Sequence, residues 1–206
     1  MGEIRFVHDD IEGELRFLTP RWAEFAAWWD SISRGNASDA AQNLCAACAL
    51  QPDANTLAAE FEDGLGFLPP AIADKLLDHV GAPEDGFGKR YPVVAAEDVP
   101  AEVRDVAKKG TKRAPLFVRV PTGVWALRAP GARAGGAYTD AVAAFRGGRG
   151  DASLAEASRL LVLSCVLSPS AEVAAAQIQE HPHIVYTLAD ALCEAGGGAG
   201  KGLRGV

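Results

Sequence analysis

The chain has 206 residues, of which 49% are hydrophobic and 23% charged, the balance of a soluble, core-forming protein. No apolar run approaches the roughly 20 residues a membrane helix needs. Met1-Gly2-Glu3-Ile4-Arg5 lacks the basic and then apolar build of a signal peptide, and Phe6 stands where a myristoylation signal wants Ser or Thr, so a cytoplasmic protein is expected. The net charge of −7 is unevenly spread. Residues 1–103 hold 19 acidic and 7 basic side chains (−12), and residues 104–206 hold 8 and 13 (+5). Such asymmetry suits head-to-tail self-association or docking on a charged partner, and neutral drift between the halves explains it equally well.

Residues 3–18 read as a β-hairpin: Glu3–Val7 and Glu14–Leu18 alternate apolar with polar around a turn rich in Asp and Gly. Pro20 stops the strand. A helix is predicted from about Arg21 to Ser33, with Trp22, Phe25, Ala26 and Trp29 on one face and Trp28 toward its flank, where it seals the core edge or, as the less favoured reading, is an exposed contact. Arg34-Gly35-Asn36 breaks it. The next helix, about Ser38 to Gln51, turns Ala41, Leu44, Cys45 and Cys48 inward. Asp53 is placed to cap a helix over 54–63. Gly64, Gly66 and Pro69-Pro70 make a break before a helix over 70–80 that buries Ile72, Leu76 and Val80 and stops at Gly81.

Residues 83–114 read as a linker with a short helix at about 99–109, its Val99, Val103 and Val106 on one face. The run Lys108, Lys109, Lys112 and Arg113 lacks interleaved aromatics in an acidic protein, so it reads as a solvated segment and no nucleic acid is expected. A second hairpin follows, Pro115–Val120 and Val124–Arg128 around Pro121-Thr122-Gly123. Tyr138, Val142 and Phe145 then occupy the helical face held earlier by Phe25 and Trp29. A helix capped by Asp151 or Ser153 runs to Ser168, helices over about 171–180 and 184–195 come next, and 197–206 is a flexible Gly-rich tail.

The two hairpin-plus-helix stretches repeat one another. Leu44–Asp53 and Leu161–Ser170 share a helical run, a cysteine, a leucine and then Pro with a capping residue. Ile72-Ala73-Asp74 and Leu188-Ala189-Asp190 match farther on. The expected fold is therefore α+β, mostly α, with two tandem copies of a β-hairpin followed by three to four short helices: 1–82, a linker at 83–114, and 115–196.

Motifs for chemistry were sought on the same residues. Cys45-Ala46-Ala47-Cys48 could be a redox or zinc half-site, yet in the repeat Cys45 aligns with Val162 and Cys193 with Leu77, the interchange expected of small buried hydrophobes. No second ligand pair lies at zinc spacing. His181-Pro182-His183 stands alone and reads as a turn. Gly200-Lys201 lacks the earlier Gly and following Ser or Thr of a phosphate loop. Asp74 and Asp190 recur on polar helix sides, which solubility explains better than acid–base work. No cofactor and no enzymatic activity are expected.

Leu127-Arg128-Ala129-Pro130, Cys165-Val166-Leu167-Ser168-Pro169 and Leu188-Ala189-Asp190-Ala191-Leu192, echoed by Arg16–Pro20 and Cys48–Pro52, carry a family likeness. The chain resembles the tail assembly chaperones of long-tailed bacteriophages and related phage-like particles, here doubled. The resemblance implies a non-enzymatic factor that binds the apolar helices of a long tape-measure-like protein and keeps them soluble until tube subunits displace it. Trp28, Trp125 and Phe61, the last on the 54–63 helix, are the expected partner-contact residues. The alternatives are a structural component of a phage-like particle, or a small cytosolic enzyme using Cys48 or Cys165 as a thiol.

Overall fold

A computed structural model describes residues 2–8, 11, 13–63 and 65–196. The first hairpin forms as its alternation requires. Strands β1 (Glu3–Val7) and β2 (Glu14–Leu18) pair antiparallel, Ile4 opposite Phe17 and Phe6 opposite Leu15, on the face that packs inward. The other face is a solvated charge ladder in which Glu3 bridges Arg5 and Arg16. Such exposed pairs set register more than they stabilise.

Helix α1 (Trp22–Ser33) starts after Arg21, whose N–H donates to the Glu24 carboxylate at 3.0 Å. It buries Trp22, Phe25, Trp28 and Trp29. Helix α2 (Ala37–Cys48) buries Ala41, Leu44, Cys45 and Cys48 as the periodicity predicts. It stops three residues short of expectation. Ala49–Gln51 leave the helix as strand β3 and pair with β2, Phe17 opposite Ala49 and Arg16 opposite Gln51 across a bulge. Helices α3 (Ala54–Glu62) and α4 (Leu68–Leu77) complete the first half. Asp53 caps α3 as expected: its Oδ1 accepts from the N–H groups of Asn55 and Thr56 at 2.9 and 3.2 Å, and its Oδ2 accepts from the Thr56 hydroxyl. Asp53→Ala should cost about 1 kcal/mol in urea unfolding, and Asp53→Ser much less, because serine can still accept from those amides. Equal losses in the two variants would show that the cap bonds contribute nothing.

Residues 83–114 are not a free linker. Pro92–Val94 run beside the next sheet, with Val94 N–H donating to Phe117 O at 2.9 Å. A 3-10 turn (Ala96–Asp98) then leads into α5 (Ala101–Gly110). Because the helix begins at Ala101, Val103 and Ala107 face the sheet and Val106 is exposed, which corrects the Val99, Val103, Val106 face. Val99 and Ala107 pack on Phe117 and Ala126. Gly110 makes this seat possible, since a Cβ there would lie 2.5 Å from Leu167 Cδ2.

The second half repeats the element order of the first: β4 (Leu116–Val120), β5 (Gly123–Leu127), α6 (Ala132–Arg146), α7 (Leu154–Cys165), β6 (Val166–Ser168), α8 (Ala171–Glu180) and α9 (His183–Ala195). Here too a predicted helix end at Ser168 gives way to a strand, with Leu127 opposite Val166 and Ala126 opposite Ser168 across a bulge. Each half therefore holds a three-stranded sheet, ordered β1-β2-β3 and β4-β5-β6, where hairpins alone were expected. A cis X-Pro bond follows each third strand, at Gln51-Pro52 and Ser168-Pro169. The fold is α+β with helices predominating. The expected tail at 197–206 and Gly64 of the expected break lie outside the described residues.

The halves share one core. Helix α1 lies against α7 and α8 of the second half. Asp30 Oδ1 accepts from Ala155 N–H at the start of α7 (2.9 Å), and Arg34 donates to Ala152 O (2.7 Å) while stacking 4.3 Å over the Phe145 ring. The loop after α4 folds back over the same seam. Tyr91 OH donates to Gly81 O at 2.6 Å, and Phe87 sits among Phe25, Trp28, His183 and Tyr186. Gly81 adopts φ +81°, and a Cβ there would also strike His181 at 2.8 Å.

A candidate docking groove

The three residues expected to meet a partner are all buried in the chain's own core. Trp28 is 8% exposed and packs on Phe25 and Phe87 at 5.6 and 5.4 Å between centroids. Trp125 is 1% exposed, and its indole N–H donates to Gln177 Oε1 (3.0 Å), an oxygen that also accepts from Thr122. Phe61 is 6% exposed beside a shallow 150 Å³ pocket between α2 and α3. An aromatic ring offers so much apolar area that the chain's own core outcompetes solvent for it.

Cys45, Cys48 and Cys165 are buried in the core, and half-buried Cys193 packs against it. Burial pushes the Cys45 and Cys48 thiols up to about 12 and raises Cys165 and Cys193 as well. A thiolate nucleophile at neutral pH is therefore scarce at Cys48 and Cys165. His183 is fully buried, with Nε2 accepting from Gly88 N–H at 3.1 Å, and burial lowers its pKa to about 4. Among the described residues no group of three or more His, Cys, Asp or Glu side chains could hold a metal. No helix among them is long and apolar enough to cross a membrane.

What the sequence reading missed lies between α6 and α7. The α6 sequence Ala-Arg-Ala-Gly-Gly-Ala-Tyr-Thr-Asp-Ala-Val-Ala-Ala-Phe-Arg has few side chains large enough to fill space, and of its residues only Phe145 is buried. It therefore rests on α7 over a groove of about 690 Å³, within the range of ligand sites. Ala134, Ala137 and Ala141 form one wall, Leu161 and Cys165 the floor, and Leu160, 55% exposed, the opposite rim. Its charged lining residues are Arg128 and Arg133, both exposed. Arg128 donates to Ser164 O at 2.8 Å, which complements the carbonyl end of α7 and fixes the cation at the groove's edge.

The first half does not offer the same surface. Aligning α1 with α6 at their closing glycines (Gly35 and Gly148, both with positive φ) and α2 with α7 at Cys48 and Cys165 sets Glu24 against Ala137, Trp28 against Ala141 and Asn43 against Leu160. Bulk and polarity in one half stand where the other has small and greasy residues. Two more clefts border α6, about 720 Å³ at Pro130, Gly135 and Cys193 and about 620 Å³ at Trp29, Val142 and Ser158. Such a site can bury apolar side chains and pair with carboxylates at its rim. No protein-family model, curated protein or solved structure matches the chain, so the groove's geometry stands without a relative to compare.

Proposed function

We propose that this protein is a non-enzymatic binding factor that takes an apolar helix of a partner protein into the groove between α6 and α7. The observation that carries the reading is an open, apolar, arginine-rimmed groove built from small residues and an exposed leucine. Helix-in-groove recognition needs such a surface: apolar anchors at i, i+3, i+4 and i+7 enter the slot while the polar face stays in water. Arg128 and Arg133 favour helices with acidic residues flanking the anchors. The partner class that fits best is a long, helix-rich protein of the tape-measure type, and the role is that of an assembly chaperone in a phage or phage-like tail, with the chain as two copies of one unit. The sequence resemblance and the groove support that role from independent directions.

Binding of a labelled amphipathic peptide with Leu anchors and flanking Glu tests it. Leu160→Asp should weaken uptake by about tenfold to a hundredfold, the equivalent of one buried leucine, with the melting temperature unchanged because Leu160 is exposed. A peptide that ignores the wild type, or binds both proteins alike, defeats the reading. Co-expression with a tape-measure-like protein then asks whether the chaperone holds it in solution.

A further inference from the structure

The first half carries a feature that complements this groove. Phe67 precedes α4 and is 95% exposed, the most exposed large apolar side chain among the described residues. A lone exposed apolar side chain is ordinary, and what marks this one is the charge that precedes it in the chain. The approach to it is acidic: Glu60, Glu62 and Asp63 lie immediately upstream, with Glu62 and Asp63 exposed. The groove presents the opposite chemistry, an apolar slot with exposed Leu160 and the cations Arg128 and Arg133. The same polarity runs through the chain, −12 over residues 1–103 and +5 over residues 104–206.

We infer that Phe67 of one copy docks in the α6/α7 groove of a second copy. Knob and groove are different surfaces, so two copies can exchange both contacts in a closed pair, and any other rotation propagates the contact head to tail as a larger ring or an open chain. The inference rests on the groove being a docking site. It adds a self-associated state in which the groove is already occupied, so a partner helix must displace a neighbouring copy to enter.

The full chain tests this by light scattering and sedimentation across concentration. The wild type should grow in mass with concentration at low salt and shrink toward monomer at about 0.5 M salt, where the Debye length falls to a few Å. Phe67→Asp breaks the knob and Leu160→Asp breaks the groove, so each should self-associate at least about tenfold more weakly. An equimolar mixture of the two variants should recover a single 1:1 pair, because one supplies an intact groove and the other an intact knob. A wild type that stays monomeric at every attainable concentration overturns the inference, and so does a mixture that stays monomeric. Phe67→Asp should still take up the labelled peptide. Uptake without self-association removes this inference and leaves the helix-binding reading, while a mixture that pairs but ignores the peptide does the reverse.

Discussion

Phe25→Ala will destabilise the protein by about 3–5 kcal/mol, the largest loss expected of any single truncation here. Phe25 is fully buried and its ring lies 5.6–6.3 Å from those of Trp22, Trp28, Trp29, Phe87 and Tyr186. Those rings come from α1, from the loop after α4 and from α9, so no single element can shift to fill the hole. The cavity term therefore adds in full to the lost transfer energy. For a chain of this length the loss corresponds to a melting temperature lower by about 10 °C. Urea unfolding of the variant beside Ala27→Ser, an exposed change on the same helix, measures it. A loss below about 1 kcal/mol would show that the seam between the halves is soft and that the shared core is not what holds them.

His183→Gln will remove an acid-dependent loss of stability that the wild type shows between pH 6.5 and pH 4. The imidazole is enclosed by Phe87, Tyr91 and Tyr186 at 5.3–5.7 Å, and burial lowers its pKa from 6.5 to about 4. Above pH 6.5 the ring is neutral in both folded and unfolded chains and contributes no pH dependence. As the pH falls from 6.5, the unfolded chain takes up a proton that the folded one refuses, so stability declines until the folded ring also titrates near 4. The full decline is about 3 kcal/mol. Glutamine can keep the acceptor for Gly88 N–H without titrating. Carboxylates with lowered pKa, Glu3 and Asp53 among them, also lose stability in acid, so the readout is the difference between wild type and variant at each pH. Parallel pH profiles would mean that the folded ring protonates as readily as the unfolded one.

Local signals carried much of this architecture. Alternation marked both hairpins, period and turn chemistry marked the helices, and interchange with aliphatics marked the cysteines as core. The third strands were not separable from the helices before them, because three residues such as Ala49-Leu50-Gln51 or Val166-Leu167-Ser168 cannot establish a period. The signal present was the following proline, which pushes its predecessor out of the helical region. The seat of α5 was also foreshadowed. β4 and β5 are apolar on nearly consecutive residues, the pattern of a sheet covered on both faces, whereas β1 and β2 alternate up to their last residue. The depth at which Trp28 and Trp125 are buried was not legible, because their cover, Phe87 and Gln177, comes from distant segments that no local pattern announces. The groove escaped for the opposite reason, since it consists of what α6 lacks, and its trace was a helix made largely of alanine and glycine.

The wall that α1 lends to α7, α8 and α9 has a consequence for synthesis. As the nascent chain leaves the ribosome, Phe25 and Trp29 emerge about 160 residues ahead of their partner Tyr186. Closing so long a span is slow, and until it closes a row of aromatic rings stays uncovered. A protein proposed to shield the greasy surfaces of others thus begins life with such a surface of its own, guarded only when α9 arrives.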